Sequence, residues 1–143
     1  MVLREQYLEK LRKTKGSRII KVITGVRRCG KSTLLEQFRE ELLSSGTAAE
    51  QIISVNFEDI GNKHLLAYQD LYDFLLSQLQ PGKMTYVFLD EIQNVPQFQK
   101  AVDSLYIKPY VDIYLTGSNA GLLSGELATL LSGRYIEINM LPL

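Results

Sequence analysis

Gly25-Val26-Arg27-Arg28-Cys29-Gly30-Lys31-Ser32 matches the pattern Gly-x-x-x-x-Gly-Lys-Ser/Thr at every fixed position. The flanking chain supplies the context that the pattern needs. Upstream, residues 18–24 carry Ile19, Ile20, Val22 and Ile23, which predict a strand buried on both faces. Downstream, Leu34, Leu35, Phe38 and Leu42 recur at helical spacing and predict a helix over 31–43. Gly25 permits a tight turn, and Gly30 lets backbone amides approach an anion without a Cβ in the way. Those amides and the helix N-terminus form a cradle for phosphate. In such a loop Lys31 reaches the β- and γ-phosphates as a point charge, and the Ser32 hydroxyl ligates Mg²⁺. Residues Gly25, Val26, Arg27, Arg28, Cys29, Gly30, Lys31, Ser32 and Thr33 are therefore expected to line a bound nucleotide. Arg27 and Arg28 contact phosphate or acidic neighbours, or face solvent at the loop tip. Cys29 reads as loop filler open to oxidation, because a cysteine nucleophile needs partners this chain does not offer. His64, the single histidine, reads as a surface or helix-start residue, and one Cys with one His does not make a zinc site.

Working outward, residues 51–57, 84–89, 111–115 and 135–140 read as four further strands. Helical patterns fill the intervals at 65–79 and 97–106, with a segment interrupted near Gly125 before the last strand. Residues 2–15 form a leading amphipathic helix with Leu3, Tyr7, Leu8 and Leu11 on one face. Strands separated by helices require crossovers, which favours a largely parallel sheet covered on both faces. Residues 1–143 are expected to be a single domain, with residues 1–17 as its leading helix.

Val87-Phe88-Leu89-Asp90-Glu91 puts two carboxylates directly after an apolar strand, at the edge where parallel sheets bind ligands. Asp90 is expected to hold Mg²⁺ opposite Ser32, and Glu91 to orient and polarise the water that attacks the γ-phosphate. A small-molecule kinase would need a set of arginines in the second half of the chain, where only Arg134 stands. A GTPase would need an Asn-Lys-x-Asp segment, which is absent, so ATP is favoured over GTP by exclusion. Thr116-Gly117-Ser118-Asn119 ends the fourth strand at the same edge. At least one of its polar residues is expected to sense the γ-phosphate or hold the water, with Asn119 and then Thr116 preferred. Arg134, at the start of the last strand, is expected either to complete a neighbouring copy's site or to serve as a local salt-bridge residue. Glu58-Asp59 either helps position metal or water, or is a solvated loop.

Composition sets the outer bounds. The chain has 143 residues, 45% hydrophobic, with one cysteine and no long apolar run. This excludes a disulfide-stapled secreted fold and a membrane-spanning segment, and makes a cytoplasmic domain the expectation. Formal charge is zero, but residues 1–31 hold ten bases against Glu5 and Glu9, leaving the remainder acidic. A basic start suits either a phosphate site or contact with nucleic acid.

Taken together, Gly25-Val26-Arg27-Arg28-Cys29-Gly30-Lys31-Ser32-Thr33, Val87-Phe88-Leu89-Asp90-Glu91-Ile92-Gln93, Leu115-Thr116-Gly117-Ser118-Asn119-Ala120 and Leu131-Ser132-Gly133-Arg134 resemble the N-terminal ATPase domain of a prokaryotic AAA+-like family of ATP-binding proteins within the P-loop NTPase superfamily. The resemblance runs from about Tyr7 to Pro142. It implies an α/β three-layer sandwich whose five-stranded parallel sheet has the order 5-1-4-3-2, with helices on both faces. It implies ATP and Mg²⁺ as ligands, hydrolysis as the reaction, and assembly into homo-oligomers. Members of that family continue with a further C-terminal region beyond the position of Leu143. The partner, nucleic acid or protein, is left open. The alternatives to an ATPase are an ATP-gated nucleic-acid-binding module built on the basic N-terminal segment or a nucleotide-binding fragment without significant turnover, and no membrane contact is expected.

Overall fold

The computed structural model describes residues 2–118, 122, 128, 129 and 133–141. Asn119 and most of the segment interrupted at Gly125 lie outside these. Helix α1 (Val2–Thr14) leads into strand β1 (Ile20–Thr24), and helix α2 (Lys31–Ser44) follows the glycine-bounded loop. Then come β2 (Ile52–Asn56), α3 (Tyr68–Gln78), β3 (Thr85–Asp90), α4 (Phe98–Tyr106), β4 (Val111–Gly117) and β5 (Tyr135–Asn139). All pairings are parallel and the order is β2-β3-β4-β1-β5, the order expected. The phosphate-loop strand β1 thus lies between β4 and β5, and the acidic strand β3 lies one place further on.

Alternation along the strands divides the core into two layers. Ile20, Val22, Val87, Leu89, Ile113 and Leu115 face α3 and α4, joining Leu71, Leu75, Val102 and Leu105. Ile23, Phe88, Tyr114 and Ile138 face α1 and α2, joining Leu8, Leu11, Leu34 and Phe38. Phe38, Phe88 and Tyr114 pack with ring centroids 4.7–6.4 Å apart.

Two elements differ from expectation. The third helix begins at Tyr68, not 65, because Ile60–Leu65 forms a separate 3₁₀ turn. The Asp59 carboxylate caps that turn by accepting from the Gly61 amide at 2.9 Å, and Ala67 is extended before α3 starts. Asp59 thus caps the turn that follows β2. The second difference is at β1, where Lys21 is fully buried. Its ammonium pairs with Asp112 of β4, whose other oxygen accepts from Tyr114 Oη at 2.7 Å and from the Gly16 amide at 2.8 Å. Burial pushes the Lys21 pKa down against the opposing pull of Asp112. This polar knot ties the end of α1 to the sheet. Helix α1 is also held through Arg12, which grips Glu41 of α2 at 2.8 and 2.7 Å, and through Tyr7 Oη, which accepts from the Leu141 amide at 3.0 Å.

Candidate nucleotide site

The ends of β1, β3 and β4 meet at one edge of the sheet, and the loop after β1 curls over them. Gly30 is left-handed, with φ 102°, and leads directly into α2. The first amides of that helix have no side-chain cap, so they remain as donors for an anion. A Cβ on Gly25 would stand 2.6 Å from Cys29 Sγ and 2.9 Å from the Met140 carbonyl, so the turn closes only with glycine there. Cys29 is part of the loop, and it is not open to solvent. Its side chain is buried in the α1–α2 layer and anchors the underside of the loop.

Lys31 is almost fully buried for a lysine, at 3% exposure. Its Nζ donates to the carbonyls of Gly25 (2.9 Å) and Val26 (3.1 Å) and to Ser118 Oγ (3.2 Å), and lies 3.6 Å from Glu91 Oε2. Ser32 Oγ donates to Asp90 Oδ2 at 2.5 Å. The other Asp90 oxygen accepts from the Thr116 hydroxyl, which itself accepts from the Glu91 amide at 2.8 Å. Thr116 is fully buried, and its hydroxyl is committed both as donor and as acceptor. In this arrangement it bridges the two carboxylate-bearing positions.

Among the described residues at the end of β4, Ser118, just past the strand, reaches the site. Its hydroxyl lies 2.8 Å from both Glu91 carboxylate oxygens while accepting from Lys31. Glu91 adopts a left-handed backbone at φ 58°, which costs on the order of 1 kcal/mol or more for a residue with a Cβ. Gln93 Nε2 donates to Glu91 Oε1 at 2.8 Å. Burial pushes the Glu91 pKa up, but the hydrogen bonds from Gln93 and Ser118 and the charge of Lys31 outweigh it. The net shift is downward, so Glu91 is a carboxylate at neutral pH.

A cleft of about 560 Å³ opens over these groups, lined by Arg27, Arg28, Lys31, Ser32, Thr33, Glu58 and Glu91. Arg27 pairs with Glu58 at 2.9 Å and is largely exposed, so it answers to an acidic neighbour. Arg28 is exposed at the loop tip with φ 65°. His64 is exposed on the 3₁₀ turn. Arg134 lies elsewhere. It precedes β5, so it sits at the opposite sheet edge, about 16 Å away for a five-residue strand. There Nη1 donates to Asp103 at 2.9 Å and the guanidinium covers Tyr106 at 5.3 Å.

The donor set suits a magnesium–nucleotide pair. Among the described residues no cluster of three or more His, Cys, Asp or Glu stands ready to hold a metal. Mg²⁺ keeps water and takes phosphate oxygens, so one hydroxyl and one carboxylate, Ser32 and Asp90, are the contribution expected from protein. Among the described residues no helix is long and apolar enough to cross a membrane.

The model of the AAA domain family matches residues 17–143. A protein of Haemophilus influenzae, itself uncharacterised, is 48% identical over 145 residues, covering the whole chain but 36% of the relative. An uncharacterised protein of Methanocaldococcus jannaschii is 37% identical over 124 residues, covering 87% of the chain and 26% of the relative. The chain thus spans about a third or less of the relatives it matches. Among solved structures, that of Drosophila ORC bound to GC-rich DNA and Cdc6 superposes with a TM-score of 0.65 at 17% identity. It covers 97% of this chain and 56% of that one, a likeness of fold.

Proposed function

The chain belongs to the AAA domain family of P-loop nucleotide-binding ATPases, and on that premise we propose that it binds Mg-ATP and hydrolyses the β–γ phosphoanhydride. The observation that carries this reading is the convergence of Lys31, the Ser32–Asp90 pair and Glu91 on one cleft at the sheet edge. The α2 amides and Lys31 bind the β- and γ-phosphates. Ser32 and Asp90 hold Mg²⁺, which when bound neutralises charge on the phosphate oxygens. Glu91, ionised and fixed by Gln93 and Ser118, takes a proton from water as the water oxygen bonds to the γ-phosphorus. The bond from that phosphorus to the bridging oxygen breaks, and its electron pair leaves with ADP. Ser118, in contact with both Lys31 and Glu91, is placed to report whether the γ-phosphate is present. Asn119 is retained as a second candidate for that role.

We further propose that hydrolysis gates a partner or a further region of the polypeptide. Contact with nucleic acid is the second reading, and its basis in sequence is thinner once the bases are placed. Lys21 is spent on Asp112, Arg12 on Glu5, Glu9 and Glu41, Lys31 on the loop, and Arg18 on the Tyr106 carbonyl. Arg4, Lys10 and Lys13 of α1, with Lys15 just past it, are what this segment still offers to a polyanion. Salt-dependent retention of a labelled duplex would support that reading.

Substituting Lys31 tests the binding half of the proposal. Lys31→Ala is expected to weaken Mg-ATP on the order of a hundredfold in calorimetric titration, because it removes charge-assisted bonds to two phosphates. The fold should persist, since Lys31 belongs to neither layer of the apolar core. A folded Lys31→Ala protein with wild-type affinity would remove the phosphate-loop assignment.

A further inference from the structure

Arg4 of α1 stands against the phosphate loop, on the side away from the acidic strand. Its Nη2 is 2.9 Å and its Cζ 3.8 Å from the point where a Cβ of Gly30 would lie, so the missing side chain of Gly30 is the room the guanidinium uses. Met140, just past β5, brings its Cε to 3.6 Å of the same point.

The electrostatics of this placement are incomplete. Gly30 opens α2, so Arg4 puts a cation beside the positive end of a helix dipole, where cations are disfavoured. Its neighbours there are also basic. Lys31 has Glu91 within 3.6 Å and Arg27 has Glu58 at 2.9 Å. Arg4 has no carboxylate among the described residues: the nearby acids of its own helix, Glu5 and Glu9, are both turned to Arg12. A half-buried guanidinium without an anion among the described residues, held at a helix N-terminus by a helix itself pinned to α2, is a ready partner for a bound anion.

Strand order says which part of a nucleotide that is. The carboxylates of the reaction stand on β3, and Ser118 stands at the end of β4, both on one side of β1. The terminal phosphate therefore lies on that side of the loop, and the nucleoside end leaves on the other, toward β5 and α1. We propose that Arg4 is a nucleotide-binding residue that donates to the α-phosphate, supplied by a helix that precedes the residues matched to the family, 17–143. The α1 helix then becomes part of the binding site and not only a brace on α2. This inference rests on the nucleotide-binding reading above.

The test is titration of the wild type, Arg4→Ala and Arg4→Lys with Mg-ATP and Mg-ADP, with Lys31→Ala alongside. Arg4 makes no hydrogen bond or ion pair to the described residues that its loss would break, so Arg4→Ala should fold, as circular dichroism would verify. Arg4→Ala is expected to weaken ATP and ADP by the same factor, roughly tenfold, because both carry the α-phosphate. Arg4→Lys should recover part of that loss. Wild-type affinity for both nucleotides in Arg4→Ala, with Lys31→Ala impaired, would overturn the role of Arg4 and leave the site intact. A loss confined to ATP would place Arg4 at the γ-phosphate and equally overturn the assignment. Failure of the wild type to bind either nucleotide would overturn the site itself.

Discussion

Replacing Glu91 with glutamine is expected to leave Mg-ATP binding unchanged and to lower phosphate release by about a hundredfold or more. The amide preserves size and still accepts from Gln93 and Ser118, so the neighbouring hydrogen bonds at 2.8 Å survive in part. What it loses is a negative oxygen able to take a proton from water. Asp90→Asn should differ in kind. It disturbs the Ser32 contact and the Thr116 bridge, and its main effect is expected on the Mg²⁺ dependence of binding. Single-turnover phosphate release at saturating ATP separates the two. Glu91→Gln hydrolysing at the wild-type rate would show that another group handles the water.

Arg134→Ala is expected to abolish most turnover, by roughly a thousandfold, if neighbouring copies assemble with this arginine facing the next site. Within its own subunit Arg134 lies at the far edge of the sheet, held by Asp103 and Tyr106. Any contact with a γ-phosphate must therefore be made across an interface. A guanidinium on the transferring phosphate stabilises developing charge, so an isolated subunit would be nearly inactive and the rate per molecule would rise with concentration. Mixing Glu91→Gln with Arg134→Ala, each inactive alone, should restore part of the activity. Interfaces then form in which an intact Glu91 faces an intact Arg134 of its neighbour. Absence of recovery, with assembly verified by light scattering, would leave Arg134 as the partner of Asp103 alone.

The residues legible in the sequence are those whose placement depends on local chain geometry. A β-branched strand, a glycine-bounded loop and a helix start put Lys31 and Ser32 where they are. An apolar strand ending in Asp90-Glu91 at a parallel sheet's ligand edge does the same for the acids. The strand order came from resemblance, since alternating elements alone imply only a parallel sheet. What was not legible depends on side-chain direction or on contacts between distant segments. Thr116 and Ser118 are two residues apart, yet Thr116 is buried between β3 and β4 while Ser118, just past the strand, reaches the cleft. Composition offers no way to choose between them. The burial of Lys21 follows from β1–β4 pairing, which places Asp112 and Tyr114 against it. A lone charged residue amid apolar neighbours in each of the two strands was the available signal. Arg4 and Gly30 are 26 positions apart and meet only because α1 folds back along α2.

Mg²⁺-dependent ATP hydrolysis at this sheet edge is read from phosphate release by the purified chain over a wide range of protein concentration, with Mg²⁺ present and then chelated. Release is expected to saturate with ATP, to rise per molecule as subunits associate, and to fall to background when Mg²⁺ is removed. Release unaffected by chelation, or none at any concentration from protein that binds Mg-ATP, would contradict it.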